Sequence, residues 1–132
     1  MGRRGLQAFL MFLSLGAMTF GGLTAVLGAV SVEGVVTAPA SLDSELRYYA
    51  VWYVMAGVLV LRAVRRIEAE TTLIRIVGAA LFAGGCVRLL SILSAGAPHA
   101  VYLWLMGGEL VLPLVMVPWQ AAVSGRAGSA TP

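Results

Sequence analysis

Lysine is absent from this 132-residue chain, and charge of either sign is scarce. Only 11% of residues are charged, against about 25% in an ordinary soluble domain. So little charge leaves almost nothing from which to build a water-exposed module. Histidine and cysteine occur once each, as His99 and Cys86. A lone cysteine excludes an intrachain disulfide, and with one histidine there are too few ligands for a zinc site or a bis-histidine haem. No cysteine pair supports redox exchange, and no glycine-rich phosphate loop appears. The expectation is therefore a protein without metal, cofactor or catalytic residues, with His99 a solvated loop residue.

What is present is apolar. Sixty per cent of residues are hydrophobic and the mean hydropathy is +0.92. Four apolar stretches, 6–30, 48–64, 73–93 and 101–120, each approach the roughly 20 residues that cross a bilayer. A transmembrane β-barrel would show alternating segments of about 10 residues instead. The fold class expected is all-α: a polytopic membrane protein whose single domain, 1–132, is an antiparallel bundle of four transmembrane helices.

All nine basic residues are arginines, and they gather at span ends, as topology signals do rather than as a nucleic-acid surface does. Arg3 and Arg4 precede the first span, Arg62, Arg65, Arg66 and Arg75 surround the turn between spans two and three, and Arg126 lies in the tail 121–132. The loop 31–47 holds only Arg47, beside Glu33, Asp43 and Glu45. This bias predicts both termini on the cytoplasmic side and loop 31–47 on the other. Arg3-Arg4 before an apolar run resembles a secretory signal, yet 6–30 exceeds the about 7–15 residues of such an h-region, so a retained helix is expected. Leu6 stands where a myristoylation motif needs Ser or Thr.

Ala17, Gly21, Ala25 and Ala29 recur every four residues and form a small-residue face on the first span. Small residues let helix backbones approach closely, either within this bundle or against another copy or another protein. Ser41 is a candidate N-cap, with Asp43 and Glu45 in the first turn of a helix that begins outside the membrane. Tyr48, Tyr49, Trp52 and Tyr53 follow as an outer aromatic belt.

Two charges lie deep inside the apolar stretches. Arg88 is roughly 8 Å inside the outer end of span three and Glu109 roughly 12 Å from the same side, at about 1.5 Å per residue. A guanidinium and a carboxylate can satisfy each other there, fixing helix register, or can form a polar site for a headgroup, ion or proton. Ser91, one turn from Arg88, adds a hydroxyl. Gly107-Gly108 precedes Glu109, and Pro113 removes the N–H that would bond the Glu109 carbonyl. Gly84-Gly85 permits a close helix approach to span three.

Glu45-Leu46-Arg47-Tyr48 opening span two, Arg88-Leu89-Leu90-Ser91 late in span three, Gly96-Ala97-Pro98 in the loop and Glu109 in span four form an ordered pattern. In it the chain resembles the domain of unknown function 4345 family of small four-helix bacterial membrane proteins, over nearly its whole length. It departs from the family's usual glycines at Val87 and at Tyr49-Ala50. The resemblance implies a four-helix fold and a polar cluster of Glu45, Arg47, Arg88, Ser91 and Glu109, and it implies no activity. Glu45 and Arg47, two apart on a helix, do not face each other, so each needs its own partner. Arg47 beside Arg88 and Glu109 would leave surplus positive charge for a headgroup.

The function expected is that of a non-catalytic accessory or assembly subunit of a larger membrane complex, such as a lipid transporter or respiratory complex. The alternative is a small oligomeric transporter or lipid-binding protein using the Arg88/Glu109 cluster; an enzyme acting on membrane lipids is a third class. Partners would be membrane lipids and a membrane protein or a further copy, with no nucleic acid. The alanine-, glycine-, valine- and arginine-rich composition points to a bacterial, inner-membrane setting.

Overall fold

The computed structural model describes residues 2–32 and 34–128. They form four helices: α1 (Arg3–Leu27), α2 (Ala40–Ala63), α3 (Thr71–Ala95) and α4 (Ala100–Gly128), with 3₁₀ turns at Gly28–Ser31 and Val64–Arg66. All four are long and apolar enough to cross a membrane. At 1.5 Å per residue the shortest, α2 with 24 residues, is about 36 Å long, more than the about 30 Å of a hydrocarbon core.

α3 and α4 outrun the apolar stretches that forecast them at both ends, and α1 and α2 do so at their N-terminal ends only. Backbone groups entering the interfacial region are still best satisfied inside a helix, so hydrophobicity stops before helicity does. α2 begins at Ala40 rather than near Tyr48, and α4 continues past 120 to Gly128. Pro39 occupies its N-cap position, with no side-chain cap hydrogen bond, and Ser41 is already helical, which corrects the expected capping role of Ser41. α3 ends where Gly96 turns to φ +91°, its N–H donating to the Ile92 carbonyl at 3.0 Å. Positive φ costs glycine least, and Pro98 follows as a stop.

Two compact units divide the chain. The first, Gln7–Arg65, holds most of α1 together with α2. Here each helix accepts the other through a glycine. A Cβ on Gly21 would lie 2.7 Å from the Ala50 carbonyl oxygen, and one on Gly57 would lie 2.8 Å from that of Ser14. Of the small-residue face, Gly21 is thus turned toward α2 and Ala29 is buried in the turn after α1, while Ala17 and Ala25 are half-buried. The Gln7 amide donates to the Val64 carbonyl at 2.9 Å and ties the far ends of the pair together.

The second unit joins the first residues of α1 to α3 and α4. Contacts are again backbone-close: a Cβ on Gly78 would meet Val117, and one on Gly85 would meet Leu110, both at 2.8 Å. Ile67, Ile74, Met116 and Val123 are buried there, and Arg3 pairs with Glu68 at 2.7 Å. Phe12, Leu93 and Trp104 are each more than three-quarters exposed. Such an outer surface is unfavourable in water but carries no such penalty among acyl chains.

Candidate functional site

Arg88 on α3 donates from Nε to Glu109 Oε2 on α4 at 2.7 Å. The local sequence makes this contact possible. Gly84 and Gly85 present no side chain to α4, so a Cβ on Gly85 would stand 3.3 Å from Glu109 Cβ and 2.8 Å from Leu110. Pro113 is buried one turn below Glu109, and its Cβ lies 3.7 Å from where a Gly78 Cβ would be. The Glu109 side chain is 14% exposed and that of Arg88 30%. The roughly 4 Å offset in depth expected between the two is covered by the length of the arginine.

Ser91 does not join the ion pair. It is exposed and lines a crevice of about 110 Å³ with Arg88, Ile92, Pro98, Tyr102 and Met106. Tyr102 is the member that sequence reasoning missed. It sits seven residues before Glu109 on α4, two helical turns away, and that spacing could have marked it.

The remaining residues of the anticipated cluster belong to the first unit. Arg47 donates from Nε to Asp43 Oδ2 at 2.8 Å and from Nη1 to the carbonyls of Ala25 at 3.0 Å and Val26 at 2.6 Å. Asp43 Oδ1 accepts the Ala29 N–H at 2.7 Å. Together they close the C-terminal end of α1, where carbonyls have run out of helical donors. Gly28, at φ +70°, completes the clamp: a Cβ there would run into the Asp43 carboxylate and the Arg47 guanidinium. The expected surplus charge on Arg47 is thus matched by Asp43, four residues earlier on the same helix face. Glu45 lies elsewhere on α2, exposed, with no ion-pair partner among the described residues.

A second polar knot lies at the other end of α3 and α4. The fully buried Gln120 amide nitrogen lies 3.0 Å from the Ile67 carbonyl, 2.9 Å from Thr71 Oγ1 and 2.7 Å from Ser124 Oγ, and these three acceptors share its two N–H donors. Ser124 in turn donates to the Glu68 carbonyl at 2.8 Å, linking α4 to the turn before α3. Gln120 had marked only the end of an apolar run.

No curated protein and no solved structure is a match for the chain. The sequence model of one family, described as Domain of unknown function (DUF4345), matches residues 5–120. That stretch takes in α2 and α3, most of α1 and α4, the Arg88–Glu109 pair and the Asp43–Arg47 clamp, and the chain belongs to this family.

Proposed function

We propose that this protein is a non-catalytic accessory or assembly subunit of a larger membrane complex. It crosses a bacterial inner membrane four times as an antiparallel bundle, with both termini and the turn between α2 and α3 cytoplasmic. The observation carrying the subunit reading is an apolar groove of about 360 Å³ along α3 and α4, lined by Gly78, Ala79, Phe82, Pro113, Leu114 and Pro118. Within lipid, helices associate by close packing rather than by hydrophobic drive, and an apolar groove with Gly78 and Ala79 in its lining is what a neighbouring helix can enter. The chain's intramembrane charges also satisfy each other, which favours an architectural role over a chemical one. Arginine bias supports the orientation.

The test is purification from the protein's own membrane in mild detergent, with Ala79→Trp to fill the groove. A partner at fixed stoichiometry, lost in the folded Ala79→Trp variant, is the expected result. A stable lone monomer overturns the reading.

The crevice beside Arg88 favours a second reading, a small oligomeric transporter or lipid-binding protein. Unchanged uptake and efflux of every tested hydrophobic substrate by Glu109→Gln would remove the transport form of it.

A further inference from the structure

The most conspicuous unused charge in the first unit is Glu45. It is an exposed carboxylate in a chain of net charge +3, and no cation approaches it among the described residues. What it has instead is aromatic company. Tyr48, Tyr49 and Trp52 stand three, four and seven residues further along α2, so all three share its helix face. All three rings are more than half exposed. Tyr48 packs edge-on against Tyr49 at 5.5 Å and against Trp52 at 6.3 Å between ring centroids. Helical side chains lean toward the N-terminus, so these rings cover the surface just below the Glu45 turn. The result is a ledge with a carboxylate at its upper edge and electron-rich rings beneath.

That combination suits a cation: the rings attract it through their quadrupoles and the carboxylate through its charge. Depth selects the source. Glu45 and Arg62 are 17 residues apart on α2, or about 26 Å, slightly less than the about 30 Å of a hydrocarbon core. With Arg62 at one interface, the ledge lies at the headgroup level of the other. We propose that Glu45, Tyr48, Tyr49 and Trp52 form a binding site for the primary ammonium of an ethanolamine-type phospholipid headgroup. A primary ammonium brings N–H donors for the carboxylate, which a trimethylated one lacks. Rings acting only as interfacial anchors would not distinguish headgroups and would not need Glu45. The inference uses the membrane-spanning reading but not the subunit reading.

The full-length protein is examined by native mass spectrometry after extraction from vesicles of phosphatidylglycerol mixed equally with phosphatidylethanolamine or phosphatidylcholine. Wild-type protein should retain phosphatidylethanolamine about threefold over either other lipid, the factor that an exposed ammonium–carboxylate contact supplies. Glu45→Gln should erase the preference over phosphatidylcholine, and Trp52→Leu should weaken the preference over phosphatidylglycerol, while far-ultraviolet circular dichroism remains helical. Carbodiimide treatment of native membranes should couple the Glu45-bearing peptide to an ethanolamine phospholipid. Equal retention of the three lipids, a preference over phosphatidylcholine surviving Glu45→Gln, or coupling of Glu45 to another polypeptide's amine would each overturn the proposal.

Discussion

Arg88→Ala should destabilise the protein far more than its loss of side-chain packing explains, and the excess should vanish when Glu109→Ala is added. The pair is joined by a 2.7 Å charge-assisted hydrogen bond whose carboxylate side is only 14% exposed. Two unit charges about 4 Å apart attract by about 4 kcal/mol in surroundings of effective dielectric near 20. Removing one partner forfeits that attraction and strands the other charge, a loss of about 3–5 kcal/mol for a buried pair. Removing both forfeits the attraction without stranding anything, so the double variant should fall within about 2 kcal/mol of wild type. The coupling energy, a difference between the double change and the sum of the single ones, is therefore expected at about 3 kcal/mol or more. Reversible unfolding in mixed micelles, followed by loss of helicity as the denaturing detergent fraction rises, gives each value. Glu109→Ala should be the milder single change, because Arg88 is long enough to carry its charge roughly 8 Å to the nearer interface. If the double variant loses as much stability as the two single variants together, the residues are not partners in the membrane.

Gly28→Ala should cost at least about 1–3 kcal/mol, since it combines a positive φ with a collision against both members of the Asp43–Arg47 clamp. The same unfolding assay reads it, and near-neutrality would mean that α1 ends in another conformation. The proposed orientation is checked with single cysteines in a Cys86→Ala background: His99→Cys should react with an impermeant maleimide added outside spheroplasts, and Arg4→Cys only after lysis. The reverse pattern would invert the topology.

Much of this architecture was legible because membrane chemistry is restrictive. Four apolar runs separated by short polar segments can satisfy their backbones in lipid only as helices, so α1 to α4 follow from hydropathy alone. The Arg88–Glu109 pair was legible for a related reason: with two charges deep inside the apolar runs and similar depths on consecutive spans, few pairings are available. Asp43 was harder. An acidic residue in a helix's first turn has an adequate local explanation in the helix dipole. Nothing in the sequence indicates that its carboxylate turns instead to the Ala29 N–H, fourteen residues back. Gln120 shows the same gap, since the three groups that share its two N–H donors come from the turn before α3, from α3 itself and from its own helix.

The sequence by itself thus determined the number of helices and their apolar character, because both depend on the solvent that each segment can tolerate. It also determined that the intramembrane charges need partners, because an unpaired charge in hydrocarbon is prohibitively costly. Only the tertiary structure decided which partners were used. Arg47 turned to Asp43 and the end of α1, Arg88 turned to Glu109, and Glu45 was left facing outward above its aromatic rings. The physical reason is that partner choice depends on which backbones come close, and glycines at 21, 57, 78 and 85 set that closeness through contacts between helices.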